Sequence, residues 1–183
     1  MRVGRAFLYE HAELVVVYRL GHYGVSLLLY APVGFAMAVF GEPGLAVLGG
    51  AGVLALARVP DYDQRVPGIT HRGVTHTVLF AALVGAAFAG GIVALSQVGA
   101  NPLPASELAT PVAFAFAVGT FGILAHLAGD VLTPAGVPLL WPLSGRTYSV
   151  SLTTADSTVW NYLLFALGVF ATAVAGFGVL QLA

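Results

Sequence analysis

Long apolar stretches alternate with short polar segments along this chain. Five stretches lack Asp, Glu, Lys, Arg and His, and they cover residues 23–41, 43–57, 77–103, 108–125 and 157–183. A helix needs roughly 20 apolar residues to cross a bilayer, and four of the stretches meet this length. The pattern predicts an all-α integral membrane helical bundle of about five transmembrane helices, forming a single domain over residues 1–183.

The second stretch is short, and it contains Gly49, Gly50 and Gly52. Small residues allow neighbouring helices to approach closely, so this stretch is either a tightly packed span or a re-entrant segment. The preceding residues, Gly41-Glu42-Pro43-Gly44, are typical of a turn. The first two stretches are therefore predicted to form a helical hairpin.

Residues 1–20 precede the first stretch and carry several charges. Their longest apolar run, residues 14–18, is too short for the hydrophobic region of a signal peptide, so we expect no cleavable signal. The segment is predicted to be an N-terminal amphipathic helix at the membrane interface, with His11 as an interfacial residue.

Composition supports a lipid environment and excludes several functions. Only 8% of the 183 residues are charged, against about a quarter in soluble domains. The basic residues are seven arginines, too few for a surface that tracks nucleic-acid phosphates. The absence of cysteine from the sequence excludes disulfides, thiolate ligands and a cysteine nucleophile.

The arginines predict the orientation in the cell membrane. If the chain begins inside and crosses five times, all seven arginines lie on one side, and Glu42 and Glu107 lie on the other. The positive-inside rule then predicts a cytoplasmic N-terminus and an external C-terminus.

The same topology gathers histidines and aspartates at the arginine-rich face. They are His22, Asp61, Asp63, His71, His76, His126, Asp130 and Asp156. The spacing of four puts His126 and Asp130 on one face of an otherwise apolar helix, where ionisable groups usually line a polar cavity. Taken alone, the pair is equally compatible with a structural hydrogen bond.

Each remaining group also has a simpler interpretation. Asp61 and Asp63 follow Pro60 and are typical of a solvated turn, His71 and His76 could be interfacial, and Arg72 could contact lipid headgroups. Convergence from four chain segments favours a site for divalent metal, with zinc as the expected ion. The surplus of ligands is compatible with two ions, or with one ion and a general base.

These motifs also resemble a known family. The matching segments are Gly21-His22, Pro60-Asp61-Tyr62-Asp63, the segment 71–77 (HRGVTHT) and the segment 126–142 (HLAGDVLTPAGVPLLWP). They are similar to the motifs of the YdjM family of inner-membrane, metal-dependent hydrolases. A more distant similarity links them to zinc-dependent phospholipase C and the single-strand nucleases.

The resemblance implies a metal site formed by His22, Asp61, Asp63, His71, His76, His126 and Asp130, with one or two ions per chain. Three positions depart from the family pattern: Gln64 in place of histidine, Thr77 in place of serine, and Asn161 near an expected glutamate. Asp156 is a further candidate ligand that could substitute for that glutamate.

The expected activity is metal-dependent hydrolysis. Asp61 or Asp63 would position or deprotonate a water, and Arg72 would stabilise negative charge on a phosphoryl oxygen. A site at the inner leaflet favours a lipid phosphate ester or phosphodiester as substrate, with residues 133–142, including Trp141, at its rim. The alternatives are a metal or proton transporter and a non-catalytic scaffold with a structural metal. The oligomeric state is left open.

Overall fold

The computed structural model describes residues 3–98 and 104–182, and for residues 3–18 it describes the backbone only. Five α-helices are present: α1 (Val3–Val39), α2 (Pro43–Leu56), α3 (Val78–Ser96), α4 (Ala105–Val131) and α5 (Thr158–Leu182). Two short 3-10 helices, Pro60–Arg65 and Val74–His76, lie between α2 and α3. No strand occurs in the described part, and an isolated antiparallel bridge joins Val137 to Tyr148.

Five helical segments are long and apolar enough to cross a membrane. The predicted fold class, a helical membrane bundle of about five spans, is therefore confirmed. The backbone of residues 3–18 is helical as expected, and it continues without a break into the first span, Arg19–Val39. The interfacial position of residues 3–18 stays a prediction.

Helix α2 begins at Pro43, whose fixed φ angle and missing N–H suit the first turn of a helix. Its 14 residues extend about 21 Å, less than the roughly 30 Å of a bilayer core. Together with the 3-10 helix that follows, the apolar segment Pro43–Arg65 reaches 23 residues. A Cβ atom on Gly52 would lie only 2.6 Å from Val118, so α2 packs closely against α4.

Glycines set the closest helix contacts in the bundle. Helix α1 packs along α5, and α3 packs along α4. A Cβ atom on Gly168 would lie 3.0 Å from the Cα atom of Gly24, and one on Gly119 would lie 2.8 Å from the Cα atom of Gly85. Since lipid provides no hydrophobic drive between helices, this close packing is a main source of association.

The buried core lies between α2, α3 and α4. Its members are Val53, Leu56, Ala81, Val118, Ile123, Ala125 and Leu127. Ala125 and Leu127 flank His126 in sequence, so the core borders directly on the ionisable residues. Large apolar side chains elsewhere, such as Leu83, Phe170 and Phe177, are exposed and would face lipid.

Five spans place the two ends of the chain on opposite sides, and the arginine distribution predicts which side is which. Reporters fused after Asn101 and after Ala183 should both give an external signal, because each point follows an odd number of crossings from a cytoplasmic start. Paired alkaline phosphatase and fluorescent-protein fusions measure this. A cytoplasmic signal at Ala183 would mean that α2 does not cross.

Candidate metal site

The ionisable side chains converge from four parts of the chain. His22 comes from α1, Asp61 and Asp63 from the first 3-10 helix, His71 and His76 from the α2–α3 connection, and His126 and Asp130 from the last turns of α4. Local sequence directs this arrangement. Pro60 begins the first 3-10 helix, and Thr77 caps α3 by accepting the Phe80 N–H at 3.0 Å, which leaves His76 buried at the helix entrance.

The ring of His126 is held by a backbone carbonyl. Its Nδ1 lies 2.8 Å from the carbonyl oxygen of Ala57, just past the end of α2. A carbonyl oxygen only accepts hydrogen bonds, so Nδ1 must carry the proton. In the neutral ring, Nε2 then has a bare lone pair, which points into the site.

A threonine sets the same tautomer at His76. The Thr75 hydroxyl donates its single proton to Asp63 Oδ2 at 2.8 Å. The same oxygen of Thr75 therefore accepts from His76 Nδ1, which is 2.9 Å away. Nδ1 of His76 also lies 3.3 Å from Asp63 Oδ2. His76 thus presents a bare Nε2, oriented from behind by a threonine and a carboxylate.

Three potential ligand atoms meet at one point, and Asp61 lies beside two of them. The two Nε2 atoms of His76 and His126 are 3.4 Å apart, and Asp130 Oδ2 lies 3.4 Å and 3.1 Å from them. Asp61 Oδ1 lies 3.6 Å from each Nε2. Ligands at about 2.0 Å from a tetrahedral zinc are separated by about 3.3 Å, so the spacings of 3.1 Å to 3.4 Å among His76, His126 and Asp130 suit such an ion.

Asp130 has one satisfied and one unsatisfied oxygen. Oδ1 accepts from the Arg72 guanidinium at 2.8 Å. Oδ2, which faces the two imidazoles, is buried without a hydrogen-bond donor in the described residues. Acceptors that face one another in a buried space repel each other, and either a bound cation or a second proton on one imidazole relieves this repulsion. The orphaned oxygen of Asp130 and the two imidazoles therefore fit a bound metal ion.

Arg72 locks the α2–α3 connection onto α4. Besides Asp130, its guanidinium donates to Thr133 Oγ1 at 2.9 Å and to the carbonyl of Gly136 at 3.4 Å. Its backbone has a φ of 59°, in the left-handed region, and its N–H donates to Asp63 Oδ2 at 3.2 Å. In this arrangement the Arg72 side chain positions Asp130, and its expected contact with a phosphoryl oxygen stays a prediction.

Asp63 also has a different place from the one expected for a ligand or general base. It is only 3% exposed, and Oδ1 accepts from His71 Nδ1 at 2.9 Å. Oδ2 takes the Arg72 N–H and the Thr75 hydroxyl. Because both oxygens have protein donors, Asp63 orients the histidines instead of facing the centre of the site.

His22 and His71 lie next to the two buried imidazoles, His22 beside His126 and His71 beside His76. The ring of His22 stacks on His126 with centroids 4.1 Å apart, and its Nε2 is 3.8 Å from Asp130 Oδ1. The half-exposed ring of His71 stands edge-on to His76 at 5.3 Å. Each belongs to a group of three potential ligand atoms with Asp61, so both remain near enough to contribute.

Asp156 is not brought into the cluster. Its side chain is exposed, and it belongs to none of the three potential metal-binding groups of the described residues. Asn161 instead fastens the start of α5, because its Nδ2 donates to the carbonyls of Ala155 and Ser157 at 2.9 Å and 2.8 Å. The substitution of Asp156 for the expected glutamate therefore has no support in this geometry.

Several groups that orient the potential ligands were not predicted from the sequence. The Ala57 carbonyl leaves no sequence signal, since every residue has one. Thr75 and Thr133 lie within the motifs but are not ligand types. Gly129, between His126 and Asp130, is required by His22, because a Cβ atom there would lie 2.6 Å from His22 Nδ1.

Comparison with protein families decides the affiliation of the chain. The model of the YdjM inner membrane protein family matches residues 20–183. The chain belongs to this family. Curated proteins and solved structures yield no match to the chain.

Membership in the YdjM family agrees with the five apolar helices, and together they establish a membrane protein. The match covers every residue of the metal-site cluster. The family description names neither a reaction nor a substrate. The distant similarity to zinc-dependent phospholipase C stays a prediction.

The difference between Asp61 and Asp63 can be tested by the same substitution at both positions. Asp63→Asn should lower the free energy of unfolding by about 1–3 kcal/mol. The amide NH2 of the new side chain would face hydrogen-bond donors that now donate to the carboxylate. Asp61→Asn should change this free energy much less, since Asp61 accepts from no backbone or hydroxyl donor in the described structure. Thermal unfolding of chelator-treated protein measures both without a contribution from bound metal. Equal destabilisation would contradict the orienting role of Asp63.

Proposed function

We propose that this protein is a membrane-bound, metal-dependent hydrolase acting on a phosphate ester or phosphodiester of a lipid at the cytoplasmic membrane face. The observation that carries the proposal is the set of buried acceptors at the end of the bundle. Two bare imidazole nitrogens and the orphaned oxygen of Asp130 lie within 3.4 Å of one another.

The three buried ligands would be His76, His126 and Asp130, holding one divalent ion, with zinc expected from the mixed nitrogen and oxygen donors. Hydrogen bonds from the far side of each imidazole support this assignment, since metal-bound histidines usually have such partners. The three potential ligand groups share residues, which favours one ion over two.

Asp61 occupies the open side of the site. Its side chain is 32% exposed, whereas those of His76 and His126 are fully buried. A bound divalent ion would supply Lewis acidity toward an ester oxygen. Asp61 would orient the attacking water and accept its proton at the carboxylate. Arg72 would act indirectly, because its bond to Oδ1 of Asp130 turns Oδ2 toward the imidazoles.

The position of the site supports a lipid substrate. His22 lies one turn into the first span, and Asp130 lies next to the last residue of α4. A site at this depth is near the boundary between headgroups and acyl chains, where the phosphate of a lipid resides. The arginine-rich face, which would be cytoplasmic, is the same end of the bundle.

Metal binding should depend on His126. His126→Ala should remove most of the bound metal, because neighbouring groups cannot replace a ligand that is fixed by Ala57 and packed in the core. Elemental analysis of protein purified in detergent measures the content and identifies the ion. His11→Ala is the control and should retain the wild-type metal content. Equal metal in the wild type and His126→Ala would overturn the assignment.

Loss of the Asp61 carboxylate should affect catalysis more than it affects folding. Asp61→Asn should lower turnover by about 10²–10⁴-fold, the usual cost of losing a general base. The measurement is release of phosphate or headgroup from phospholipids and lipid phosphates by metal-loaded protein in vesicles, with chelator as the blank. Metal content measured in parallel separates loss of the base from loss of the ion.

Two outcomes would argue against the hydrolase. A broad lipid screen without chelator-sensitive turnover is the first. The second is His- and Asp-dependent ion flux across vesicles, which would support the transporter instead.

A further inference from the structure

The connection between α4 and α5 forms an ordered loop, residues 132–157, which we term the site loop. Its centre is closed by the bridge between Val137 and Tyr148, with N–H to carbonyl distances of 3.0 Å and 2.9 Å. The segment that returns toward α5 is fastened to the end of α4, because the N–H groups of Val150 and Leu152 donate to the carbonyls of Val131 and Leu132. The loop is thus held in place along both of its arms.

The tip of this loop, residues 139–147, exposes large apolar side chains. Leu140 is 45% exposed, Trp141 is 43% exposed and Leu143 is 94% exposed. The site loop has only two charged residues, Arg146 at the tip and Asp156 near α5. A cluster of exposed Leu and Trp with so little charge is typical of a surface that contacts another apolar phase.

The backbone places this tip at the level where the spans begin. The carbonyl of Leu139 accepts the N–H of Val78 at 2.9 Å, and Val78 is the first residue of the third span. Val78, Leu79 and Leu83 on α3 are themselves exposed and apolar, as expected of a lipid-facing helix. The tip therefore continues a lipid-facing surface outward into the headgroup region.

We propose that the tip of the site loop inserts into the headgroup region of the membrane beside the metal site. Trp141 provides the amphipathic ring typical of this depth, and Arg146 can reach lipid phosphates while its guanidinium lies over the Tyr148 ring at 5.4 Å. The same loop contacts the site directly, because Arg72 donates to Thr133 and Gly136. Lipid that surrounds the tip is consequently adjacent to the metal site, whatever reaction occurs there.

The sequence offers a clean test, because it contains no cysteine. A spin label on Leu143→Cys reports the tip, and the side chain it replaces makes few contacts. The matched control is Asp156→Cys, an exposed position in the same loop. Both full-length variants are reconstituted in vesicles of phosphatidylcholine and phosphatidylglycerol. Collision of each label with oxygen, which concentrates in lipid, and with a water-soluble nickel complex is then measured.

The label at position 143 should collide with the nickel complex several-fold less often than the label at 156, and more often with oxygen. Equal nickel accessibility at both positions would overturn the proposal. Shielding of position 143 from both reagents, with spin–spin broadening, would also overturn it by indicating a contact between two copies of the chain.

A second readout uses the native tryptophan. Trp160→Phe leaves Trp141 as the remaining tryptophan. Its fluorescence should be quenched by lipids brominated near the headgroup and protected from aqueous iodide. Full iodide quenching without lipid quenching would contradict insertion. Neither readout needs metal or turnover, so failure of this proposal is distinguishable from failure of the hydrolase.

Discussion

The mutual repulsion of buried acceptors is the constraint on which the rest of the site depends. In the neutral rings the Nε2 atoms of His76 and His126 face Asp130 Oδ2 without a proton, because the proton of each ring is on Nδ1 and hydrogen-bonded. Such an arrangement is unfavourable without a cation in a region of low polarity. The protein maintains it through the Ala57 carbonyl, the Thr75 hydroxyl and the Arg72 guanidinium.

The bundle provides the rigidity that this arrangement needs. Helix α4 contributes two of the three buried ligands and packs against α1, α2 and α3. Close glycine contacts between helices leave little freedom for the ends of the helices to separate. The polar groups are gathered at one end of the bundle, where the cost of burying charge is lower than at the bilayer midplane. The fold therefore combines an apolar, lipid-facing body with a polar site at its surface.

Asp61 and Asp63 show why residue type alone does not define a role. They lie two positions apart on one 3-10 helix and look equivalent in sequence. The turn buries Asp63 under three donors and leaves Asp61 partly exposed beside the imidazoles. Asp63 therefore holds the α2–α3 connection together, whereas Asp61 faces the centre of the site. Asp156 was a candidate as a substitute for the glutamate that the family pattern expects, but it is exposed and belongs to none of the potential metal-binding groups of the described residues.

The sequence by itself determined the class of this protein, the number of spans and most of the residues that are gathered at the site. These properties follow from apolar length and from the rarity of ionisable groups in spans, both of which are local signals. The tertiary structure decided which nitrogen of each imidazole faces inward, which aspartates face the centre of the site and what Arg72 holds. Those features depend on contacts between residues far apart in the chain, such as His126 with Ala57 and Arg72 with Asp130, and a local pattern cannot encode them.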